Sequence, residues 1–182
     1  MTSRSVRFDG TGLFYRVTDP ADERLDMFEP GSTDCAQEEA SYFQARAWTG
    51  ALDGRECACL QLVTKADEVI GYLAYDIVLK PHPSRRSKTE VDYLFLYHLW
   101  IAPEYQGERD SHANGPIRWS VQAMRLVESL AATLGCIGVY LNVRLDNGPA
   151  LRLYRGLGYV DDGSYTARAT NHQMLRMRKV LG

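Results

Sequence analysis

The segment from Pro103 to Ser120 reads PEYQGERDSHANGPIRWS and has features of an anion-binding turn. An apolar run that predicts a strand precedes it, and an amphipathic run that predicts a helix follows it. Free backbone N–H groups at the start of a helix attract phosphates and other anions. Gly107 and Gly115 are the glycines of this segment, and a mixed-charge stretch separates them. The pattern leaves three interpretations open: a phosphate-binding turn, an altered one, and a surface loop.

A second segment of chemical interest is LDNGPALRLYRGLGYV at residues 145–160, where a short helix is predicted after a strand. Asn147 is suited to cap this helix, because an asparagine oxygen accepts hydrogen bonds from the free N–H groups at a helix start. Tyr154 is a candidate acid, since a phenol can give its proton to a leaving group. A tyrosine in a short amphipathic helix is more often a packing residue, so Tyr154 alone does not decide the chemistry.

The elements that must position these segments follow from hydrophobic periodicity. Helices are expected from Asp19 and over residues 38–48, 117–134 and 147–157, with Pro116 and Gly135 as start and stop signals of the third. Strands are expected over residues 12–17, 56–64, 68–79, 91–101 and 137–143, followed by a hairpin of residues 158–166 and 172–181. The strand–helix–strand unit implies a parallel pair with a right-handed crossover. The fold class is therefore α/β or α+β with a mixed sheet.

The run VDYLFLYHLWI at residues 91–101 is largely apolar on both faces, which predicts a central strand covered on both sides. Strand alternation places Tyr97 with Phe95 on one face and His98 with Trp100 on the other. On the helix over residues 117–134, an apolar stripe lies opposite a polar side. That polar side is formed by Arg118, Gln122, Arg125 and Ser129.

Composition indicates one globular domain over residues 1–182. The net charge of −2 at pH 7 disfavours nucleic acid and anionic membranes as partners, since both call for a basic surface. No apolar run approaches membrane-spanning length, and the N-terminus lacks a signal-peptide pattern. The cysteines and histidines have no zinc-site spacing, so no metal is expected. Reduced core thiols then favour a cytoplasmic protein.

Two motifs resemble those of the GCN5-related N-acetyltransferase (GNAT) family, whose members move an acetyl group from acetyl-CoA to an amine. The first is LWIAPEYQG, residues 99–107, which is similar to the end of the family's central strand and the start of its cofactor turn. The second, more specific, follows the family's pattern N-x-x-A-x-x-L-Y-x-x-x-G-F/Y. It is carried by Asn147, Ala150, Leu153, Tyr154, Gly158 and Tyr159.

The resemblance covers residues 69–180 well and is only topological before them. It implies a GNAT-like, mixed, mostly antiparallel central sheet with a parallel strand pair at the cofactor site, flanked by helices. Residues 1–90 would form the acceptor-side half of the domain, and residues 91–182 the half that binds acetyl-CoA.

The resemblance also implies how a thioester would be held and broken. Backbone groups of Leu99, Trp100 and Ile101 would bind pantetheine as a strand edge binds an added strand, and would polarise the thioester carbonyl. Tyr154 would protonate the departing thiolate or hydrogen-bond to it. Asn147 would hydrogen-bond the pantetheine arm or a nearby water.

The group that removes the proton from the amine is less clear. Many family members carry a Glu or His on the central strand, where this chain has Phe95 and Tyr97. His98 faces the other side by alternation unless a β-bulge re-aims it. Tyr97, His98 and a water chain stay open as the base, with packing the favoured role for His98.

The turn departs from the family's Gln/Arg-x-x-Gly-x-Gly/Ala pattern. Counted from Gln106 and Gly107, the positions for small residues hold Arg109 and Ser111, and the pattern fails. Counted back from the helix, Gly115 takes the first glycine position, with roughly six residues inserted.

On the second alignment, the N–H groups of Ile117, Arg118 and Trp119 would bind the pyrophosphate, and Arg118 would add positive charge. The last small position of the pattern is lost at Ile117. The pyrophosphate-binding turn is then either kept in a form with a longer loop or impaired.

Two functions follow. The favoured one is an enzyme that acetylates a small-molecule or protein amine by direct attack in a ternary complex, with acetyl-CoA as co-substrate. The alternative is a GNAT-like binding or regulatory module with a degenerate CoA loop and little catalysis. Tyr42, Phe43, Trp48 and the 80–90 loop are candidate walls of an acceptor pocket. The edges of the C-terminal hairpin would suit a homodimer.

Overall fold

The computed structural model describes residues 6–7, 13–17, 58–81, 90–107, 109–110, 117–168 and 170–182. Strand pairing within them gives an eight-stranded sheet and a two-stranded ribbon. The sheet contains β1 (Val6–Arg7), β2 (Leu13–Val17), β3 (Ala58–Thr64), β4 (Val69–Pro81), β5 (Glu90–Ile101), β8 (Gly138–Arg144), β9 (Val160–Thr166) and β10 (Gln173–Val180). The ribbon pairs β6 (Arg109–Asp110) with β7 (Ile117–Arg118). The helices of the described part are α1 (Trp119–Thr133) and α2 (Gly148–Gly156).

The strand order of the sheet is β1-β2-β3-β4-β5-β8-β10-β9. β5 and β8 pair in parallel from Tyr93–Gly138 to Leu96–Leu141. The pairs β2–β3, β3–β4, β8–β10 and β9–β10 are antiparallel. α1 lies in the connection between the two parallel strands, as a parallel pair requires. The predicted mixed, mostly antiparallel sheet with one parallel strand pair is confirmed.

The described residues divide into two compact units. The first comprises residues up to Asp76 together with His98–Ala123. Its apolar core includes side chains from β2, β3 and β4 that are at most 1% exposed: Leu13, Leu60, Leu62, Ile70 and Leu73. Residues 59–63 and 70–75 are all buried, so β3 and β4 are covered on both faces there.

The second unit comprises Ile77–Tyr97 and Met124–Gly182. Its fully buried side chains come from β5, α1, β8 and β10 and include Leu94, Met124, Leu126, Val139 and Met177. Met124, Val127 and Ala131 recur at helical spacing and are all buried, as the apolar stripe of the sequence predicts.

Helix α1 differs from its prediction at its start and on one side. It begins at Trp119, because Ile117 and Arg118 pair with β6 instead of continuing the helix, so Pro116 is not its first residue. Gln122, predicted on the polar side, is only 1% exposed. The buried arc is wide enough to include it beside Ala123, and a buried amide is normally hydrogen-bonded.

The C-terminal end of α1 agrees with its prediction. Gly135 has a φ of 76°, and the N–H groups of Gly135 and Cys136 bond to the carbonyls of Ala132 and Ala131. These two bonds form a Schellman motif, which ends helices at a glycine.

The other strand boundaries and those of α2 lie within two residues of the predicted ones. Three two-residue strands, β1, β6 and β7, were not predicted. The helices expected from Asp19 and over residues 38–48 lie outside the described residues, as do Tyr42, Phe43, Trp48, most of the 80–90 loop and Gly115.

Gly138 lies where β8 is enclosed between β5 and β10. A Cβ atom added there would lie 2.3 Å from the Lys179 carbonyl oxygen and 2.7 Å from Cε1 of Tyr93. Gly138→Ala is therefore expected to lower the free energy of unfolding by about 1–3 kcal/mol, the usual cost of overpacking. Denaturant unfolding followed by circular dichroism measures the change.

Gly156→Ala is the matched control, because no heavy atom lies within 4 Å of the Cβ position there. Alanine is the better helix former, so this variant should be as stable as the parent or slightly more stable. Equal stability of the two variants would contradict the packing described around Gly138.

Candidate functional site

The end of β5 has a defined backbone orientation. The N–H of Ala102 donates to the Ile70 carbonyl on β4 at 2.9 Å. The Trp100 carbonyl oxygen lies 2.2 Å from the position that a Cβ of Gly71 on β4 would occupy, so it too faces β4. Backbone groups of successive residues point to opposite edges of a strand. The N–H and C=O groups of Leu99 and Ile101 therefore point away from β4.

The edge of β5 that faces away from β4 can form main-chain hydrogen bonds with an extended ligand. β5 runs on for five residues after Leu96, its last residue in the parallel pairing with β8. A strand edge binds an extended ligand through main-chain hydrogen bonds. Leu99 and Ile101 thus point away from β4, whereas the carbonyl of Trp100 points toward it. The cofactor contact that the resemblance implies for them stays a prediction.

Gln106 folds back onto the end of β5. Its Nε2 donates to the Ile101 carbonyl at 2.8 Å. The 3-10 turn Pro103–Tyr105 brings it there, with the Gln106 N–H bonded to the Pro103 carbonyl. Gly107 follows with a φ of 81°. The side chain of Gln106 keeps its Oε1 atom and the second Nε2 hydrogen for a cofactor contact.

The predicted phosphate turn is rebuilt as the β6–β7 ribbon. Arg109 pairs with Arg118 and Asp110 with Ile117. Ile117 and Arg118 therefore lie in a strand, and the prediction that they begin the helix is wrong. The first turn of a helix has N–H groups without intrahelical partners, and here these belong to Trp119, Ser120 and Val121. Arg118 is exposed immediately before them. The anion-attracting end of α1 is thus shifted by two residues from the prediction.

Helix α2 has the N-cap that the sequence predicts. Oδ1 of Asn147 accepts a hydrogen bond from the Ala150 N–H at 3.1 Å. The cofactor contact expected of Asn147 would then use its Nδ2 group, since an asparagine side chain can do both at once. Asn147 is exposed, so this group is accessible among the described residues.

The C-terminal end of α2 reverses at Gly158, whose φ of 87° is a left-handed state that glycine adopts without strain. The reversal brings the Tyr159 ring to 5.8 Å from that of Tyr154, measured between centroids. Burial raises the pKa of Tyr154 to about 12. The phenol of Tyr154 is therefore held in its protonated form, which a proton donor requires.

Tyr159 lies near both Tyr154 and a partly buried ion pair. Lys179 Nζ donates to Oε2 of Glu128 at 2.7 Å and lies 5.9 Å from the centre of the Tyr159 ring. Burial, with the Glu128 carboxylate nearby, raises the pKa of Tyr159. The Tyr159 hydroxyl and Oε1 of Glu128 are buried without a hydrogen-bond partner within 3.5 Å among the described residues. Tyr154 thus packs against an aromatic ring that a charged pair supports.

The candidate base Tyr97 lies in an aromatic row. Its ring packs edge-on against Phe95 with centroids 4.6 Å apart, and Phe95 stacks on Tyr140 of β8 at 6.0 Å. Tyr97 and Phe95 thus share a face, as alternation requires. His98, the next residue on the strand, is partly buried. This arrangement does not separate Tyr97 from His98 as a base.

Polar residues near this row were not singled out from the sequence. Tyr140 donates a short hydrogen bond to Asp162, whose Oδ1 lies 3.3 Å from Nε of Arg178. Burial and the Asp162 hydrogen bond raise the pKa of Tyr140 to about 12. Lys80 Nζ lies 5.1 Å from the centre of the Tyr140 ring. The partner of Tyr140 depends on strand register, which the pattern of a single strand does not define.

The predicted site residues thus fall in both units. Tyr97, Asn147 and Tyr154 belong to the second unit. The first unit contains His98, Leu99, Trp100, Ile101, Gln106, Gly107, Ile117 and Arg118.

Among the described residues, no group of three or more His, Cys, Asp or Glu side chains could hold a metal ion. None of the described helices is long and apolar enough to cross a membrane. Within the described part of the chain, Cys59 and Cys136 are buried and form no disulfide bond.

No protein-family model matches the sequence, and comparison with curated proteins finds no match. Solved structures do match. A chimera of spermidine N-acetyltransferase SpeG from Vibrio cholerae and hSSAT is 16% identical with a TM-score of 0.64, covering 93% of this chain and 96% of its own. A putative GnaT-family acetyltransferase from Bordetella pertussis is 14% identical with a TM-score of 0.63, covering 97% and 99%.

A third structure is Arabidopsis thaliana NAA60 in complex with acetyl-CoA. It is 17% identical with a TM-score of 0.60, and the match covers 93% of this chain and 98% of that one. At such identities the likeness concerns the backbone arrangement. The chain has the fold of the GNAT acetyltransferases.

Proposed function

We propose that this chain is an N-acetyltransferase that moves an acetyl group from acetyl-CoA to an amine by direct attack in a ternary complex. The observation that carries the proposal is the backbone of β5, whose Leu99 and Ile101 groups point away from β4 beyond the parallel pair. The GNAT fold and the acetyl-CoA complex of a neighbour with this fold support it.

Acetyl-CoA would be held by backbone groups along β5 and near α1. The amides of pantetheine would pair with the strand edge at Leu99 and Ile101, as an added strand does. The pyrophosphate would meet the N–H groups of the first turn of α1, from Trp119 to Val121, where the helix dipole favours anions. Arg118 would supply positive charge, and Gly107 and Nδ2 of Asn147 would contact the cofactor. Gly115 would also contact the cofactor, as the resemblance implies.

The chemistry needs a polarised carbonyl and a protonated leaving group. The Ile101 N–H would hydrogen-bond the thioester oxygen as it becomes an oxyanion. The amine nitrogen forms a bond to the carbonyl carbon, and the carbon–sulfur bond then breaks. The thiolate takes the proton of the Tyr154 hydroxyl, and the amine loses a proton to a base, for which Tyr97, His98 and water are the candidates.

The acceptor is an amine on a small molecule or on a protein. The fold alone does not distinguish these acceptors, because function depends on the site rather than on the fold. A panel of amines assayed by release of free thiol from acetyl-CoA would identify the class.

Replacement of Tyr154 tests the proposed acid. Isothermal titration calorimetry should show saturable binding of acetyl-CoA to the parent chain and to Tyr154→Phe, with dissociation constants that agree within about threefold. Turnover by Tyr154→Phe should fall by about 10²-fold or more, the usual contribution of a positioned proton donor. The two measurements separate cofactor binding from chemistry.

Tyr165→Phe is the matched control, since Tyr165 lies on β9 and packs against Arg176. It should keep the parent's turnover. Equal turnover by Tyr154→Phe and the parent would remove Tyr154 from its role. If the parent protein shows no saturable binding of acetyl-CoA, the proposed enzyme function is excluded. If it binds acetyl-CoA but does not consume it with any amine, the result favours the alternative of a GNAT-like binding module.

The pH dependence of turnover offers a second test of Tyr154. Its pKa is raised to about 12, so the phenol keeps its proton well above its ordinary range. An acid with a raised pKa preserves activity as the pH rises, and turnover should therefore not fall through loss of this proton below about pH 11. A decline centred near pH 10 that Tyr154→Phe abolishes would contradict this assignment.

Arg118→Gln tests the rebuilt phosphate turn. The loss of one exposed positive charge near a phosphate is expected to weaken CoA binding by about threefold to tenfold at low salt, and less at high salt. Turnover at saturating acetyl-CoA should not change, because Arg118 does not contact the reacting atoms. Arg125→Gln, an exposed residue of α1, is the control and should bind CoA as the parent does. Identical affinities for both variants would exclude the phosphate contact.

A further inference from the structure

The β4 strand carries an irregularity directly beside the end of β5. Leu62 of β3 pairs with Gly71, but the next residue, Val63, pairs with Val69. Ile70 is therefore an extra residue in β4 without a partner in β3, which defines a β-bulge. Its side chain is fully buried. A bulge of this kind re-aims the backbone of its strand.

The backbone of this bulge makes two close approaches to β5. The Ile70 carbonyl accepts the hydrogen bond of the Ala102 N–H at 2.9 Å. At Gly71, an added Cβ would lie 2.2 Å from the Trp100 carbonyl oxygen and 3.1 Å from the Ile101 Cα. Both neighbouring atoms belong to the backbone, so no side-chain rotation would make room for a side chain.

These approaches set the direction of one peptide group. In a trans peptide the C=O of one residue and the N–H of the next point in opposite directions. The Trp100 carbonyl faces β4, and the Ile101 N–H therefore faces away from it. The adjoining peptide agrees, since the Ala102 N–H faces β4 while the Ile101 carbonyl accepts from Gln106 Nε2 at 2.8 Å.

We propose that Gly71 is a positioning residue for acetyl transfer. Because Gly71 has no side chain, the Trp100 carbonyl can lie close to β4. The same peptide group then directs the Ile101 N–H away from β4, toward the proposed position of the thioester oxygen. The inference rests on the proposed function and assigns part of it to a residue that touches neither cofactor nor acceptor. Transition-state stabilisation by a fixed donor depends on its direction, so a small tilt of this peptide lowers the rate.

Gly71→Ala separates this role from cofactor binding. Its added methyl group must push the Trp100 carbonyl away and tilt the Ile101 N–H. Turnover at saturating substrates is expected to fall by about 10²-fold, the effect of losing one such donor. The dissociation constant of CoA, which has no thioester carbonyl, should stay within about threefold of the parent's. Steady-state kinetics and calorimetry give the two values.

Ala102→Pro is a second variant at the same contact. Ala102 has a φ of −56°, which proline adopts, and the substitution removes the N–H that bonds to Ile70. It should reduce turnover while preserving CoA affinity, as Gly71→Ala does. Gly156→Ala, in open space on α2, is the control and should keep both values. Circular dichroism verifies that each variant is folded.

The outcomes separate this inference from the proposed function. A parent chain that does not consume acetyl-CoA overturns the proposed function and this inference with it. Normal turnover by Gly71→Ala in an active protein overturns the inference alone. A parallel loss of turnover and CoA affinity, or failure of both variants to fold, would show that Gly71 serves general structure and would also overturn it.

Discussion

The four-residue parallel ladder between β5 and β8 is the constraint on which the second unit is built. Tyr93 to Leu96 pair with Gly138 to Leu141, and the Ile137 N–H bonds to the Asp92 carbonyl just before the ladder begins. Parallel pairing requires a crossover, and α1 forms it. The direction of β8 then determines where α2 begins. Asn147 caps that helix three residues after β8 ends at Arg144.

The packing of Tyr154 results from the local interactions that begin and end α2. A cap fixes the start of α2, and a glycine with positive φ fixes its end. The reversal at Gly158 folds Tyr159 back against Tyr154. Lys179 of β10, which is paired with Glu128 of α1, lies over the Tyr159 ring. Burial then raises the pKa of Tyr154 and keeps its phenol protonated. The raised pKa of Tyr154 thus follows from the backbone geometry that buries its side chain.

Local signals in the sequence were sufficient for much of this arrangement. The cap at Asn147 and the stop at Gly135 are read from single residues, and the sheet order around β5 follows from the strand–helix–strand pattern. The buried Gln122 was mispredicted because helical periodicity does not define how wide a buried arc is. The β-bulge at Ile70 and the Tyr140–Asp162 bond depend on register between strands that are distant in sequence. No single-strand pattern carries that information.

The β6–β7 ribbon affects how far the length of the segment between its two strands can change. Its two strands pair with each other, so residues 111–116 are joined at both ends to a closed backbone ladder. Residues can then be added or removed between these strands without shifting the register of α1, because the pairing of Arg109 with Arg118 absorbs the change in length. Closed hairpins accept changes in loop length at low entropic cost. The chain length between β6 and β7 can thus change while α1 still begins at the same place.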